Sequence, residues 1–186
     1  MSSRPIEVPV EGLSDGKILL RPLVESDIDP LVDALQDPEI PRWTRIPEGY
    51  GEADARDWLQ QQRPRRDSGD GVDMMIVEAS TGELLGGIGV PHFEWGERRC
   101  ELGYWLAREH RGRGVMQRAI RLLTGWIFRS LPMDRISIMA AVENAPSRAV
   151  AERAGFQFEG VLRSYLVFKD GRHDVAMYSL LRPDPS

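Results

Sequence analysis

The sequence predicts a mixed α/β fold in which a mostly antiparallel sheet of about seven strands is flanked by about four helices. Three observations support this fold class. Strand-like and helix-like runs follow one another in the order β-α-α-β-β-β-α-β-α-β-β. Residues 115–131 carry apolar side chains at the i, i+3, i+4, i+7 spacing of a helix with one buried face. Asp170-Gly171 lies between two strand-like runs, which is the signature of a tight hairpin.

The first half of the chain is predicted to form one strand and two helices. In order, these elements are a strand at 17–23, a helix that begins near Ser26 or Asp29 and ends near Gln36, a loop at 38–50, and a helix at 52–62. Asp37-Pro38 ends the first helix, and the glycine-containing residues 67–71 mark a break after the second.

The second half is predicted to consist mainly of strands. They lie at 72–79, 83–93, 99–106, 135–142, 156–168 and 173–181, with helices at 115–131 and 146–154. Ser80-Thr-Gly82 is a short hairpin connection, so the first three of these strands form an antiparallel meander. Pro146 in the first turn and Gly155 after the last fit the usual asymmetry of helix ends.

The length of 186 residues predicts a single domain. Its expected bounds are 16–182, because residues 1–15 and the tail from Arg182 to Ser186 lack the pattern of a packed element. The first of these segments is expected to be a flexible arm.

The composition is that of an ordinary globular protein and excludes several classes. Hydrophobic residues make up 41% and charged residues 28%, and no apolar run approaches the roughly 18 residues that span a bilayer. Residues 1–15 lack the apolar stretch of a secretory signal, so we expect a cytoplasmic protein without membrane contact. Cys100 is the only cysteine and is expected to be a small core residue. The three histidines form no ligand motif, so we expect no metal.

The net charge of −5 argues against a general nucleic-acid binder. The charge is unevenly distributed, however. Residues 1–60 hold thirteen acidic and six basic side chains, whereas residues 98–130 hold eight arginines and two glutamates. The arginines form either a local anion site or a solvated helix face. The acidic first sixty residues suit a cationic partner, although they are also compatible with a solvated surface.

The segment from Tyr104 to Gln117 carries the strongest chemical signal. A strand ends in Arg111-Gly-Arg-Gly114, which leads directly into the helix at 115–131. Unpaired N–H groups and the helix dipole favour an anion there, and glycines let the backbone approach it. The segment has no Gly-Lys-Ser/Thr, and residue 117 is not glycine, which argues against a P-loop and a dinucleotide fingerprint. Gly-x-Gly alone is also common in tight turns.

Four motifs together with this loop resemble those of the GNAT superfamily of N-acetyltransferases. Arg111-Gly-Arg-Gly114-Val-Met116 is similar to the loop with which these enzymes hold the pyrophosphate of acyl-coenzyme A (acyl-CoA). The other motifs are Glu101-Leu-Gly-Tyr-Trp-Leu106, the run from Asn144 to Phe156, Glu159-Gly-Val-Leu-Arg163, and the run from Asp170 to Tyr178. Their order and spacing over residues 16–182 resemble the branch of ribosomal-protein serine/alanine N-terminal acetyltransferases. The implied GNAT fold has its sheet split into a V by a bulge before the loop.

The resemblance implies transfer of an acetyl group from acetyl-CoA to a primary amine, by direct attack in a ternary complex. The acceptor is a protein or peptide amino terminus or a small amine, and a homodimer is left open. The residues implied in cofactor binding are Trp105, Leu106, Arg111, Gly112, Arg113, Gly114, Val115, Met116, Asn144 and Ser147. Three alternatives stay open: a module that binds acyl-CoA without turnover, transfer of another acyl group such as succinyl, and an unrelated phosphate-binding or assembly protein.

The implied chemistry needs a base, because an ammonium group is not a nucleophile. Glu101 is the first candidate. The alternatives are Glu159, the pair His92 and Glu94, and water. Glu101 is also compatible with a structural role, paired with a nearby arginine.

The leaving thiolate is the second chemical requirement. Many GNAT enzymes place a tyrosine at the position of Ala151, and Ser147 resembles the serine proposed for this role in the N-terminal acetyltransferase branch. Capping of the helix is the alternative role of Ser147. Met116 departs from the usual Gly or Ala and is expected to pack under the helix. Four aromatic residues are expected either in the acceptor pocket or in the core: Trp43, Trp58, Trp95 and Tyr50.

Overall fold

The computed structural model describes residues 3–183, which form ten strands in two sheets and five α-helices. The elements are β1 (Leu13–Ser14), β2 (Ile18–Arg21), α1 (Ile28–Ala34), α2 (Glu39–Trp43), α3 (Glu52–Asp67), β3 (Val72–Glu78), β4 (Leu84–Val90), β5 (Phe93–Glu94), β6 (Arg99–Glu101), β7 (Gly103–Leu106), α4 (Val115–Ser130), β8 (Arg135–Ala141), α5 (Ala145–Arg153), β9 (Gln157–Phe168) and β10 (Gly171–Leu181). Short 3₁₀ helices lie at Glu25–Asp27 and Arg108–His110.

The two sheets diverge within the strand predicted for residues 99–106. The first sheet has the order β1-β2-β3-β4-β7 and is antiparallel. The second has the order β5-β6-β8-β10-β9, in which only β6 and β8 are parallel. Leu102 N–H still donates to Ser137 O in the second sheet (2.9 Å), whereas Gly103 already pairs with Gly89 in the first. The predicted strand is therefore two strands, and the V-shaped split begins at Leu102.

The structure contains ten strands where the sequence predicted about seven, and the three additional strands have identifiable causes. One predicted strand is divided by the split, and β1 and β5 contain only two residues each. Strands of that length have too few residues to show a period-2 pattern.

Helices cover both faces of the first sheet. In β3, Met74 and Ile76 pack in the same apolar cluster as Leu123 of α4, whereas Met75 and Val77 pack with α1–α3. This alternation follows from the pleat of a strand, which sends successive side chains to opposite faces. The buried face of α4 confirms the helix predicted at 115–131.

A short helix, α2, lies in the region predicted to be a loop. Pro38 is its N-cap and Pro41 falls in its first turn. The N–H groups of a first turn have no helical partner, so proline is compatible with a helix start there. The prolines at 38–50 therefore begin a helix instead of preventing one.

Helix α3 continues five residues beyond the predicted end at Gln62. Pro64 lies inside it and removes one helical hydrogen bond. The side chain of Gln62 is buried and accepts Leu23 N–H (3.2 Å), which holds the last turns of α3 against the body.

The segment at 1–15 differs from the expected loose arm wherever the structure describes it. Ile6 is 4% exposed, and its N–H donates to Arg66 O (2.9 Å). The guanidinium of Arg4 lies over the ring of Trp95, 5.7 Å from its centroid. Residues 3–15 therefore pack on the body through one buried side chain and the β1 pairing. Met1 and Ser2 lie outside the described residues.

At the other end of the chain, Arg182 is anchored. Its Nε donates to Met133 O (2.9 Å) and its Nη2 to Leu131 O (2.6 Å). Residues 184–186 lie outside the described part of the chain. Within residues 3–183, no helix combines the length and apolar character that crossing a membrane requires.

Candidate active site

The split between the sheets opens into a cleft of about 1220 Å³. One wall consists of β7 and the loop that follows it, and the facing wall of β8 and the first turns of α5. Residues of α2, α3 and the end of β9 close the remaining side. Eight of the residues predicted for the site line this cleft: Glu101, Trp105, Leu106, Arg111, Gly112, Met116, Asn144 and Ser147.

The backbone of β7 presents hydrogen-bond donors to the split. Ala107 N–H donates to Leu85 O of β4 (3.0 Å), and donors alternate in direction along an antiparallel strand. The N–H groups of Tyr104 and Leu106 therefore face away from β4, where no described strand pairs with β7. Leu106 N–H is placed to polarise a carbonyl oxygen in the cleft.

The loop before α4 allows an anion to approach the backbone closely. Gly112 and Gly114 have φ angles of 74° and 76°, a region that other residues rarely adopt. A Cβ at Gly112 would meet no atom within 4 Å. Gly114 is the N-cap of α4 and offers no side-chain cap, so the N–H groups of Val115 and Met116 have no helical partner. This arrangement fits a pyrophosphate.

The side chains of Val115 and Met116 point to the core. Met116 is 3% exposed and Val115 packs against the same apolar cluster. Met116 therefore packs under the helix as expected, and the backbone N–H groups of both residues remain the donors for an anion.

The two arginines of the loop differ in their contacts. Arg111 donates to Leu106 O through Nε (3.1 Å) and Nη2 (3.0 Å), and its Nη2 lies 2.6 Å from Asp37 Oδ2. Arg108 binds the other oxygen of the same carboxylate. Arg111 thus braces the loop against β7, and Asp37 compensates its charge. Arg113 forms no ion pair within residues 3–183.

Arg113 lines a second, basic groove of about 620 Å³ beside the start of α4. The other lining residues are Asp15, Gly114, Gln117, Arg118, Arg121, Leu122, Arg129 and Arg153. Asp15 is the one acidic residue among them and pairs with Arg118 (2.6 Å). The groove therefore presents a strong excess of positive charge next to the glycine loop.

Glu101 lies half-buried at the end of β6, where the sheets separate. No basic side chain of the described chain comes within ion-pair distance of its carboxylate, so the expected alternative of a paired structural carboxylate finds no support. Burial raises the pKa of Glu101; Arg45 lowers this pKa and Glu94 raises it further. A carboxylate with a raised pKa in a cleft is a better proton acceptor than an ordinary glutamate.

Ser147 lies in the first turn of α5 but does not cap it. The N-cap is Asn144, whose Oδ1 accepts Ser147 N–H (3.1 Å). Ser147 Oγ instead lies 3.0 Å from the hydroxyl of Tyr104. Helix capping by Ser147, the alternative to a chemical role, is therefore wrong. The position of Ala151 offers nothing to the cleft, because Ala151 is 0% exposed.

The alternative bases are held by other partners. Glu159 binds Arg135 and accepts a hydrogen bond from Ser179 (2.7 Å). These contacts, with that of Arg135 the largest, lower the pKa of Glu159 to about 2, and Glu159 does not line the cleft. His92 and Glu94 do line it, but they contact Asp70 and Arg99 respectively.

Three of the four candidate aromatic residues line the cleft. Trp43, Trp58 and Tyr50 do so, whereas Trp95 is buried in the core and donates to Gly69 O (2.7 Å). The side chain of Trp105 is also buried. Its backbone pairs with Gly87 of β4, so Trp105 offers no N–H donor to the cleft.

Sequence reasoning missed three features of the site. Tyr104 stands inside one of the motifs, but its strand position gave no signal that its hydroxyl meets α5. Phe168 and His173 form an aromatic cluster with Trp43, with ring centroids 5.4 to 6.1 Å apart. Arg45 also went unnoticed, because it lies 56 residues from Glu101 in sequence. These contacts join distant segments, which no local pattern reveals.

A family model described as "Acetyltransferase (GNAT) domain" matches residues 17–157. The chain belongs to this family. The GNAT chain is 37% identical over 136 residues to "Putative ribosomal N-acetyltransferase YdaF" of Bacillus subtilis. These residues cover 72% of this chain and 69% of the relative. It is 32% identical over 173 residues to "Uncharacterized N-acetyltransferase p20" of Bacillus licheniformis, covering 93% and 97% of the two chains.

Its fold is also similar to solved GNAT structures. The Microcin C7 self immunity acetyltransferase MccE, solved in complex with acetyl-CoA and AMP, superposes with a TM-score of 0.84. The two share 21% identity over 94% of this chain and 98% of that one. The predicted GNAT fold, a mixed sheet split into a V between helices, is thereby confirmed.

Proposed function

We propose that this protein is an N-acetyltransferase that transfers an acetyl group from acetyl-CoA to a primary amine, with residues 16–182 acting as one catalytic domain. The single observation that carries the proposal is the open glycine loop at the start of α4, joined to an edge strand whose N–H groups face the cleft. That combination suits a long ligand with phosphates at one end and a carbonyl at the other.

The residues present fit acetyl-CoA. The loop from Gly112 to Met116 offers backbone N–H groups to the pyrophosphate, and the basic groove beside it offers arginines to a further phosphate. Leu106 and Asn144 line opposite walls of the cleft, where the pantetheine arm would pass between them. Acetyl-CoA would supply an activated thioester carbonyl and a thiolate leaving group.

Three residues of the chain have separate roles in the reaction. Leu106 N–H donates to the thioester oxygen, where negative charge develops. Glu101 accepts the proton of the incoming ammonium group, because its raised pKa brings it closer to that of the amine. Ser147 hydroxyl donates a hydrogen bond to the departing sulfur. The amine attacks directly, with no covalent bond to the protein.

The acceptor is an amine that enters between α2, α3 and β9. Trp43, Tyr50 and Trp58 line that side of the cleft together with Asp54 and Asp57. Aromatic faces and carboxylates attract a cation. A peptide amino terminus meets this description, and similarity to a relative named for ribosomal N-acetylation favours it over a small polyamine.

A binding experiment and a turnover experiment test the proposal. Calorimetry with CoA is expected to show binding that weakens with added salt, because phosphate recognition is partly Coulombic. Mass spectrometry of acetyl-CoA with a panel of peptides and amines is expected to show a gain of one acetyl group on the preferred acceptor. Failure of the wild-type protein to bind CoA would refute the proposal.

The glycine loop is tested by Gly114→Asp. The variant places a carboxylate and a Cβ beside the phosphates at a φ of 76°, so CoA affinity is expected to fall by about 10-fold or more. Gly82→Asp is the matched control. Gly82 has a φ of 77°, a Cβ placed there would meet no atom within 4 Å, and the residue does not line the cleft. Equal CoA affinity in the two folded variants would place the phosphate site elsewhere.

A further inference from the structure

Two hydroxyl groups meet where β7 faces the first turn of α5. The hydroxyl of Tyr104 lies 3.0 Å from Ser147 Oγ and 3.3 Å from Ser147 O. Both residues line the cleft. Ser147 N–H is already bound to Asn144 Oδ1, so the backbone of Ser147 is fixed from one side and its hydroxyl from the other.

The direction of these hydrogen bonds decides what Ser147 can do. A phenol has one proton to donate, and a serine hydroxyl has one proton and two lone pairs. When Tyr104 donates to Ser147 Oγ, the proton of Ser147 is free to point into the cleft. When Tyr104 donates to Ser147 O instead, it can accept that proton, and Ser147 then has none for a ligand.

We propose that Tyr104 is a positioning residue that orients the Ser147 hydroxyl as a hydrogen-bond donor to the sulfur of the acyl donor. The inference rests on the proposed function and adds a residue to it. Glu101 has by then taken the first proton of the ammonium group. As the amine nitrogen bonds to the carbonyl carbon, the carbon–sulfur bond breaks, its electron pair stays on sulfur, and the nitrogen releases its second proton to solvent to give the amide. The chain from Tyr104 O–H through Ser147 O–H stabilises that charge, and neither residue loses its proton.

The environment of Tyr104 suits a permanent donor. Burial raises the pKa of Tyr104 to about 12, although the hydrogen bond with Ser147 acts in the opposite direction. The phenol therefore stays protonated at neutral pH. Successive hydrogen bonds polarise one another in a partly buried site, so the donor strength of Ser147 increases when Tyr104 is present.

The test uses Tyr104→Phe with a matched control. Tyr178 also bonds to α5, donating to Glu152 Oε1 (3.0 Å) and accepting from Arg148 Nε (3.3 Å). It is 0% exposed and does not line the cleft. Tyr178→Phe therefore removes a buried phenol hydroxyl that contacts the same helix, and it leaves the proposed hydrogen-bond chain intact.

The decisive measurement is the pKa of the thiol of bound CoA. It is determined from the ultraviolet absorbance of the thiolate as the pH is varied. Tyr104→Phe is expected to raise this pKa relative to the wild-type protein, whereas Tyr178→Phe leaves it unchanged. Affinity for CoA lacking its sulfur atom is expected to be equal in all three proteins. If the Tyr104→Phe protein binds CoA normally and the thiol pKa is unshifted, this inference is overturned and the proposed function is not.

Kinetics give a second, independent readout. Tyr104→Phe is expected to lower kcat about 10-fold or more with little change in acceptor KM. In a Ser147→Ala background the same change is expected to have almost no further effect, because the two residues act through one hydrogen bond. Independent, multiplicative losses would contradict the proposed chain. A wild-type protein that does not bind CoA would overturn the proposed function itself, and this inference with it.

Discussion

Asn144 offers a sharp test, because its two side-chain atoms have separate tasks. Oδ1 accepts Ser147 N–H at 3.1 Å and caps α5. Nδ2 forms no hydrogen bond within residues 3–183, and Asn144 lines the cleft. We therefore assign capping to the oxygen and contact with the acyl donor to the nitrogen.

The expected size of the capping effect follows from the first turn of α5. Pro146 has no N–H, Ala145 N–H already donates to Glu143 O (2.9 Å), and Arg148 N–H donates to Asn144 O (3.2 Å). Asn144→Ala thus leaves one N–H group, that of Ser147, without its partner. Loss of one N-cap costs about 1 kcal/mol, which for a chain of this length lowers the thermal midpoint by about 2–4 °C.

Asn144→Ser separates the two tasks. Serine caps helices about as well as asparagine, so the thermal midpoint is expected to stay close to that of the wild-type protein. Serine lacks the amide N–H₂, so the dissociation constant for CoA is expected to rise by about 2- to 10-fold, the value of one hydrogen bond. Thermal melting and calorimetry on the same two variants are the assays. The reasoning fails if Asn144→Ala has the same thermal midpoint as the wild-type protein. It also fails if Asn144→Ser binds CoA as tightly as the wild-type protein.

Two further predictions concern the proton transfer. Glu101→Gln is expected to leave CoA binding unchanged and to slow acyl transfer by about 10²-fold or more; unaltered turnover across neutral pH would assign Glu101 to structure. As the proposed base, Glu101 acts when deprotonated, so activity is expected to fall as the pH drops through its raised pKa. Because Arg45 lowers that pKa and Glu94 raises it, Arg45→Gln is expected to move the acid limb of the pH–rate profile upward and Glu94→Gln downward. Shifts in the same direction would show that another group controls this limb.

The fold was largely predictable because its signals are local. The apolar period of α4, the turn at Asp170-Gly171 and the apolar run of β3 depend on residues close together in sequence. The division of 99–106 into two strands was not predictable from residue pattern, because it depends on Leu102 bonding to Ser137, a contact 35 residues away. Helix α2 was missed because prolines usually break helices, whereas their positions in its first turn allow one.

The candidate site was also predictable where its signals are local. The glycine loop is a contiguous motif, and Glu101 stood out as a carboxylate in the strand that leads to it. Which hydroxyl partners Ser147, which residue caps α5 and which acid neutralises Arg111 all depend on side chains from separate elements. In each case the sequence supplied one partner, and the fold supplied the other.

Arg182 determines when the carboxyl end of α4 can be completed during synthesis of the chain. Its guanidinium donates to the carbonyls of Phe128, Leu131 and Met133 at the end of α4 and just beyond it. A helix that begins at the glycine loop is thus completed at its other end by Arg182. During translation, α4 leaves the ribosome more than fifty residues before Arg182 does. The nascent helix therefore keeps these carbonyls in water until Arg182 has been synthesised. Chains that stop short of Arg182 are expected to show greater protease sensitivity at residues 128–133 than the full chain.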